Sequence, residues 1–148
     1  MKTRLFVGIV TYALVILFVY TAFSKLFLYD VYVYDLGRSP MIGSMAVPLS
    51  ILLPAAELLI AVLLLVPRTR LYGLYGSTLL MFLFTGYVAT MLLTEDSLPC
   101  TCGGLIRQLT WRQHLLFNIF FTLAAGLAAF SEQRQNKRYS STSNIRHA

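Results

Sequence analysis

The two cysteines of the chain, Cys100 and Cys102, are separated by a single residue in the segment 98-LPCTCGGLIRQLTWRQH-114. Thiolates are nucleophiles and metal ligands, so this pair is the first candidate for chemistry. Cα atoms two residues apart lie at about 5.5–7 Å, and disulfides span about 4.4–6.8 Å. A disulfide between them can therefore form, but in a small, strained ring. Strained, exposed disulfides tend to be the labile or catalytic ones.

Three interpretations of the cysteine pair stay open at this point. The pattern favours a redox-active dithiol over an inert or structural pair, because closing so short a loop would stabilise the fold little. Metal ligation is the third interpretation, but zinc and copper sites need more ligands than two thiolates. His114 and Met91 could be recruited, yet the sequence holds no second cluster of Cys or His. We therefore predict no metal site.

The residues after the cysteines predict a helix that brings further polar groups to the same region. Thr110 and Gln113 have the spacing of a capping box, which marks the start of that helix. Trp111, His114 and Asn118 share one of its faces. Trp111 is predicted to be an interfacial anchor, and Asn118 to face the interior of a bundle. His114 could move thiol protons or stabilise a thiolate; the equally weighted alternative is an interfacial histidine hydrogen-bonded to a neighbour.

The elements that position these residues must lie in lipid. Of the 148 residues, 57% are hydrophobic and 12% charged, whereas soluble domains are nearer half apolar and a quarter charged. Four apolar runs of membrane-spanning length cover about 5–23, 47–66, 71–93 and 111–130. The runs are continuous rather than alternating, which favours helices over barrel strands. The predicted fold is all-α, an integral membrane four-helix bundle over residues 1–130. The first run is longer than the apolar core of a secretory signal and is interpreted as a span.

The first connector, about Ser24 to Ala46, is rich in tyrosine. Because tyrosine favours the membrane interface, we predict an interfacial helical segment packed over the mouth of the bundle and broken near 37-GRSP-40. An unstructured loop is the alternative.

The distribution of basic residues predicts the orientation. Eight lie on one side and four on the other. The eight are Lys2, Arg4, Arg68, Arg70, Arg134, Lys137, Arg138 and Arg146; the four are Lys25, Arg38, Arg107 and Arg112. By the positive-inside rule both termini are cytoplasmic, in a multi-pass protein of the bacterial inner membrane. The cysteines then face the periplasm, which permits disulfides; in a eukaryote they would face a lumen or the exterior.

The C-terminal segment 131–148 is predicted to be a basic, disordered cytoplasmic tail near anionic headgroups. No folded basic domain accompanies it, so we predict no binding to nucleic acid.

Glu57 is the most informative position inside a span, since it lies near the middle of 51-ILLPAAELLIAVLLLV-66. A carboxylate there costs at least about 2.5 kcal/mol on insertion, so it should face the interior and be paired or protonated. The candidate partners are Lys25 at the end of the first span, Asn118 and a tyrosine hydroxyl, and an ion pair with Lys25 that ties two helices is slightly favoured. The alternative is a proton relay or a polar wall of a quinone pocket.

In their order and spacing these segments resemble the MauE (methylamine utilisation) branch of the DoxX-like membrane proteins. The matching pieces are 24-SKL-26, 53-LPAAELLIAVLLLVPRTR-70, 99-PCTCGG-104 and 111-WRQHLLFN-118. The resemblance covers nearly the whole chain apart from the tail.

The resemblance implies a four-helix membrane protein associated with thiol redox chemistry. The founding member is linked to forming or transferring disulfides for a cysteine-rich periplasmic enzyme, alongside a thioredoxin-like partner. The family is compared in general design with the quinone-linked DsbB and vitamin K epoxide reductase enzymes. Cys100 and Cys102 match its cysteine motif, and Glu57 and Lys25 match its polar positions.

One departure bears on the mechanism, because DsbB-like enzymes use two cysteine pairs and this chain has one. The predicted function is exchange between the Cys100/Cys102 pair and a periplasmic thioredoxin-like protein, through a mixed disulfide that a second cysteine resolves. His114 would assist proton movement, and a quinone or another carrier would reset the pair. The direction of electron flow stays open.

The alternative function is a non-enzymatic membrane scaffold or assembly subunit with a structural cysteine pair. Gly73, Gly76 and Gly86 on the third span would allow close helix approach, either within one subunit or in a homo- or hetero-oligomer.

Overall fold

The computed structural model describes residues 2–39, 42–94 and 110–146, and the side chains of all of these except residues 2, 94, 111 and 138–146. This part of the chain is all-helical, which confirms the predicted fold class. The elements are α1 (Lys2–Phe27), α2 (Tyr29–Gly37), a short 3₁₀ turn (Gly43–Met45), α3 (Ala46–Leu65), α4 (Arg70–Thr94) and α5 (Trp111–Arg146).

Four segments are long and apolar enough to cross a membrane, and they correspond to the four predicted spans. They are Thr3–Phe27, Gly43–Leu65, Arg70–Leu93 and Arg112–Lys137. Their outward surfaces carry many large apolar side chains, including Ile16, Leu52, Phe82 and Phe120. Lipid tails are the solvent that such a surface requires, so the chain is a multi-pass membrane protein.

The four long helices form a ring in which α1 packs on α3, α3 on α4, α4 on α5, and α5 on α1. Neighbours run antiparallel, as the short connection 66–69 between α3 and α4 requires. The interior between them is apolar, and its fully buried side chains include Leu14, Phe18, Leu64 and Leu74.

Two of the three glycines singled out on the third span lie where helices approach most closely. A Cβ atom at Gly73 would lie 2.8 Å from the backbone nitrogen of Leu64, and one at Gly76 would lie 3.3 Å from the side chain of Ile60. A Cβ atom at Gly86 would meet nothing within 4 Å. Gly73 and Gly76 therefore serve contact between α3 and α4 within the chain, whereas Gly86 does not.

Alanine at Gly73 is expected to destabilise the protein by about 1–3 kcal/mol, the usual cost of overpacking. The atoms in the way are backbone atoms of α3, so the two helices must separate to admit a methyl group. Alanine at Gly86 on the same helix is the matched control. It should be neutral or mildly stabilising, because alanine favours helix by up to about 1 kcal/mol over glycine. Unfolding in detergent compares the two variants; equal stability would contradict the close packing.

The helical segment predicted in the first connector is present as α2, and it ends at Gly37, the start of the predicted break. Tyr32 and Leu36 of α2 bury against Ala46 at the start of α3. The hydroxyls of Tyr29 and Ser50 add a hydrogen bond of 3.1 Å between the two helices. The position of α2 at a membrane interface stays a prediction.

The last helix differs from the expectation of a disordered tail after Phe130, because α5 continues to Arg146. The segment 131–146 contains no Gly or Pro, and it is rich in Glu, Gln, Arg and Lys, which are good helix formers. Glu132 also lies 3.9 Å from Arg70 at the start of α4. High polarity suggested a tail, but polarity alone does not end a helix that is already nucleated in the bundle.

Candidate functional site

A cavity of about 370 Å³ lies at one end of the bundle, among the four long helices and α2. From the four long helices, its lining residues fall in 17–25 of α1, 49–57 of α3, 80–88 of α4 and 114–118 of α5. This is therefore the end at which α1 and α4 finish and α3 and α5 begin.

Most of the cavity wall is apolar. The apolar lining consists of Leu17, Phe18, Leu36, Ile42, Leu49, Leu53, Leu80, Met81, Leu83, Phe84, Val88 and Phe117. Seven polar side chains join it, namely Thr21, Lys25, Tyr32, Glu57, Tyr87, His114 and Asn118. Such a combination, an apolar chamber with a few polar groups, is typical of small-molecule sites.

Lys25 and Glu57 form the ion pair that the sequence predicts. Lys25 Nζ lies 2.5 Å from Glu57 Oε1, and the two side chains are 13% and 1% exposed. The ammonium group also lies 5.6 Å from the ring centre of Phe84 and 5.9 Å from that of Tyr32. The pair ties α1 to α3, and the aromatic rings add cation–π attraction around it.

The first turns of α5 bring His114 and Asn118 to the same cavity. The capping box is present, since the Thr110 amide donates to Gln113 Oε1 at 3.0 Å and the Gln113 amide to Thr110 Oγ1 at 3.4 Å. His114 and Asn118, four residues apart, are both buried, and both line the cavity together with Lys25. Asn118 therefore faces the bundle interior as predicted. The side chain of Trp111, the predicted interfacial anchor, lies outside the described part.

Two buried polar atoms of the cavity residues have no hydrogen-bond partner among the residues that the structure describes. They are Glu57 Oε2, an acceptor, and Asn118 Nδ2, a donor. The Thr21 hydroxyl also lines the cavity, and it donates to the carbonyl oxygen of Phe18 at 3.2 Å. Buried polar groups normally find partners, so this acceptor and this donor are available to a polar ligand in the cavity.

The first connector covers this end of the cavity. Tyr32 and Leu36 of α2 form part of the wall. The Tyr87 hydroxyl of α4 donates to Ser39 Oγ at 3.1 Å, and Ser39 itself is buried. The hydrogen bond fixes the end of the connector to α4, so α2 forms part of the site as well as linking two spans.

Cys100 and Cys102 lie outside the described residues, and so does the rest of 95–109. The described chain on either side of this segment ends at Thr94, the last residue of α4, and resumes at Thr110, just before α5. Both points are at the end of the bundle that contains the cavity.

The structure thus brings together four of the site residues identified in the sequence: Lys25, Glu57, His114 and Asn118. Sequence reasoning missed Thr21 and Tyr87 as cavity residues. The only signal for Thr21 is its spacing of four residues from Lys25, which places both on one face of α1. A tyrosine in an apolar span resembles an interfacial residue, so the sequence pattern does not identify Tyr87 as a cavity residue. Among the described residues, no group of three or more His, Cys, Asp or Glu could hold a metal ion.

Comparison with known protein families gives a match. The model of a family described as "Methylamine utilisation protein MauE" matches residues 3–131, a range that includes the first three spans, most of the fourth and the cysteine segment. No curated protein and no solved structure matches the chain.

Proposed function

The chain belongs to the MauE family of methylamine utilisation proteins, and from that premise we propose that it is a membrane thiol–disulfide redox protein. Cys100 and Cys102 would exchange electrons with a thioredoxin-like protein. The family and the four spans establish a multi-pass membrane protein; the exchange reaction is the proposal.

The segment 95–109, which contains both cysteines, is joined at each end to the end of the bundle where the cavity lies. This connection is the main support for the proposal. Cys102 lies eight residues before Thr110, so it can be no more than about 29 Å from that residue, which directly precedes α5. His114 is one turn inside that helix and lines the cavity. The segment that contains the thiol pair is thus joined to the bundle at the end where the histidine and the paired carboxylate lie, and this connectivity supports coupled electron and proton transfer there.

The exchange can be written in one direction as follows. A partner thiolate attacks one sulfur of the Cys100–Cys102 disulfide, the S–S bond breaks, and the other cysteine leaves as a thiolate. The second partner thiol then attacks the resulting mixed disulfide. The partner departs as a disulfide, and two electrons and two protons remain with Cys100 and Cys102. His114 is the group proposed to pass protons between the thiols and the cavity.

A quinone would reset the pair, since it accepts two electrons and two protons. The residues of the cavity fit such a molecule, because its wall is largely apolar. Asn118 Nδ2, a donor, would meet one of its oxygen atoms.

We propose the orientation with both termini in the cytoplasm of a bacterium and the cysteines on the periplasmic side. Arg70 lies beside Glu132, so the turn between α3 and α4 is at the same end as the basic part of α5. This clustering supports the proposal, because cytoplasmic ends of membrane proteins carry an excess of Lys and Arg.

An impermeant thiol reagent applied to spheroplasts tests both the disulfide and its side. We expect Cys100 and Cys102 to be labelled from outside after a mild dithiothreitol pulse and to be unreactive before it. The matched control is Pro67→Cys in a chain with both native cysteines replaced by serine. Pro67 is exposed in the turn at the other end of the bundle, so it should be labelled only after the cells are opened.

Cysteines that are always reduced, or oxidised and inert to the pulse, would favour the scaffold function. Labelling of Cys100 and Cys102 only in opened cells would overturn the orientation and with it the periplasmic partner.

A further inference from the structure

We infer that the cavity is a binding site for a lipid-soluble aromatic alcohol of the quinol type, with Glu57 accepting a hydrogen bond from its hydroxyl and Asn118 donating to its oxygen. The role of the cavity in reoxidising the cysteines rests on the proposed function. Binding of the ligand itself is argued from the cavity alone and does not depend on the cysteines.

The two unpartnered atoms define the polar part of the guest. Glu57 is 1% exposed and Asn118 3% exposed, so bulk solvent does not supply their missing partners. An ionised carboxylate only accepts, and an amide nitrogen only donates. The guest must therefore offer both a donor and an acceptor, and a hydroxyl group offers both.

The charge of the site excludes an ionic guest. Lys25 Nζ is 2.5 Å from Glu57 Oε1, so the two opposite charges already neutralise one another. A charged ligand would enter a largely apolar chamber without a counter-ion, which is costly. The guest is therefore neutral.

The size and wall of the cavity define the rest of the guest. A dry cavity of about 150 Å³ already accepts benzene, and this one is about 370 Å³. Phe84 and Phe117 line it, and aromatic rings pack well against one another in offset or edge-to-face geometry. A substituted aromatic ring with a short apolar chain fits this space.

The guest can enter from the membrane. Leu83 of α4 lines the cavity and is 57% exposed on the outer surface of the bundle. The cavity therefore reaches the surface that faces lipid tails, which is where a lipid-soluble molecule with an apolar chain is dissolved.

Binding is measured on the full-length protein in nanodiscs of quinone-free phospholipid, with a decyl-substituted benzoquinol and its quinone as the two probes. The bound probe is quantified after separation from empty discs. We expect saturable binding of both forms, with the quinol bound more tightly, because Glu57 Oε2 can accept only from a hydroxyl. The same affinities are expected when Cys100 and Cys102 are both serine, so failure of binding and failure of thiol exchange are distinguished.

Variants assign the two contacts. Asn118→Leu should weaken binding of both forms by about 2- to 12-fold, the equivalent of one net hydrogen bond. Glu57→Gln replaces an acceptor by an amide that can also donate. The preference for quinol over quinone should therefore fall by about tenfold or more, since a hydrogen bond to a charged group is lost. A merely structural role of Glu57 would lower both affinities and leave their ratio unchanged.

Thr11→Val is the matched control. Thr11 Oγ1 is also buried without a partner among the described residues, but Thr11 does not line the cavity, so binding should not change. Absence of saturable binding to the wild-type protein would show that water or lipid chains fill the cavity and would overturn the inference. Binding that survives both Asn118→Leu and Glu57→Gln would place the ligand elsewhere and overturn it too.

Discussion

Serine in place of Cys100 or of Cys102 is expected to reduce disulfide exchange with a thioredoxin-like dithiol protein to the rate of protein-free vesicles. A serine hydroxyl is neither ionised near neutral pH nor able to form a disulfide, whereas a thiolate does both steps of exchange. The protein is reconstituted in vesicles and the oxidised partner is followed by its mass shift on alkylation. No other cysteine is present in the chain, so no second pair can compensate.

Thr101→Ser is the control for this experiment, because it changes the residue between the two cysteines and leaves both thiols. It should exchange at the wild-type rate. When mixed with the oxidised partner, a single-cysteine variant should in addition form a mixed disulfide, because its one thiolate attacks the partner's disulfide and releases one partner thiolate. No second cysteine of this chain can resolve that species, which should appear as a larger band that dithiothreitol removes. If both serine variants accumulate normally and support the physiological output as the wild type does, the protein is a scaffold and the redox function is wrong.

Methionine in place of Lys25 is expected to lower the free energy of unfolding by about 3–5 kcal/mol, the cost of leaving one buried charge without its partner. Glu57 is 1% exposed and its Oε1 atom is held by Lys25 Nζ, so removal of the ammonium group leaves the carboxyl in an apolar chamber. The double variant Lys25→Met, Glu57→Gln carries no charge at this place and should recover most of the loss. Unfolding of the detergent-solubilised wild type, the two single variants Lys25→Met and Glu57→Gln, and the double variant completes one double-mutant cycle.

Arg70→Met is the control for the ion pair. Arg70 pairs with Glu132 at 3.9 Å and its side chain is 33% exposed, so its removal should cost no more than about 1 kcal/mol. If Lys25→Met costs no more than Arg70→Met, Glu57 does not depend on the charge of Lys25. The pair would then be a contact without a large energetic role.

The sequence alone determined the spans, the fold class and part of the site. Lipid leaves the backbone no partner but itself, so an apolar run of spanning length must be a helix. A charged side chain inside such a helix must face inward, which leaves few partners for Glu57 and makes Lys25, at the end of the preceding span, the natural one. The capping box of Thr110 and Gln113 is likewise local, because its two hydrogen bonds join residues three apart.

Other features depended on the tertiary structure, because they arise between segments distant in sequence. Gly73 and Gly86 look alike in the span, and only the position of α3 separates the crowded glycine from the open one. The hydrogen bond from Tyr87 to Ser39 joins residues 48 apart, and the hydrophobic periodicity of a helix does not predict such a contact. The continuation of α5 to Arg146 was hidden by a composition typical of a tail.

The cavity is the clearest example of a feature that depends on the tertiary structure. Whether inward-facing side chains fill the space between helices depends on the distances between helix axes, which no single helix encodes. Sequence patterns show that Glu57 and Asn118 face inward. That Glu57 Oε2 and Asn118 Nδ2 are left unpartnered at one chamber follows only from the way four helices and α2 close around it. Hydrophobic periodicity determines which face of a helix is buried, and packing determines what that face leaves unfilled.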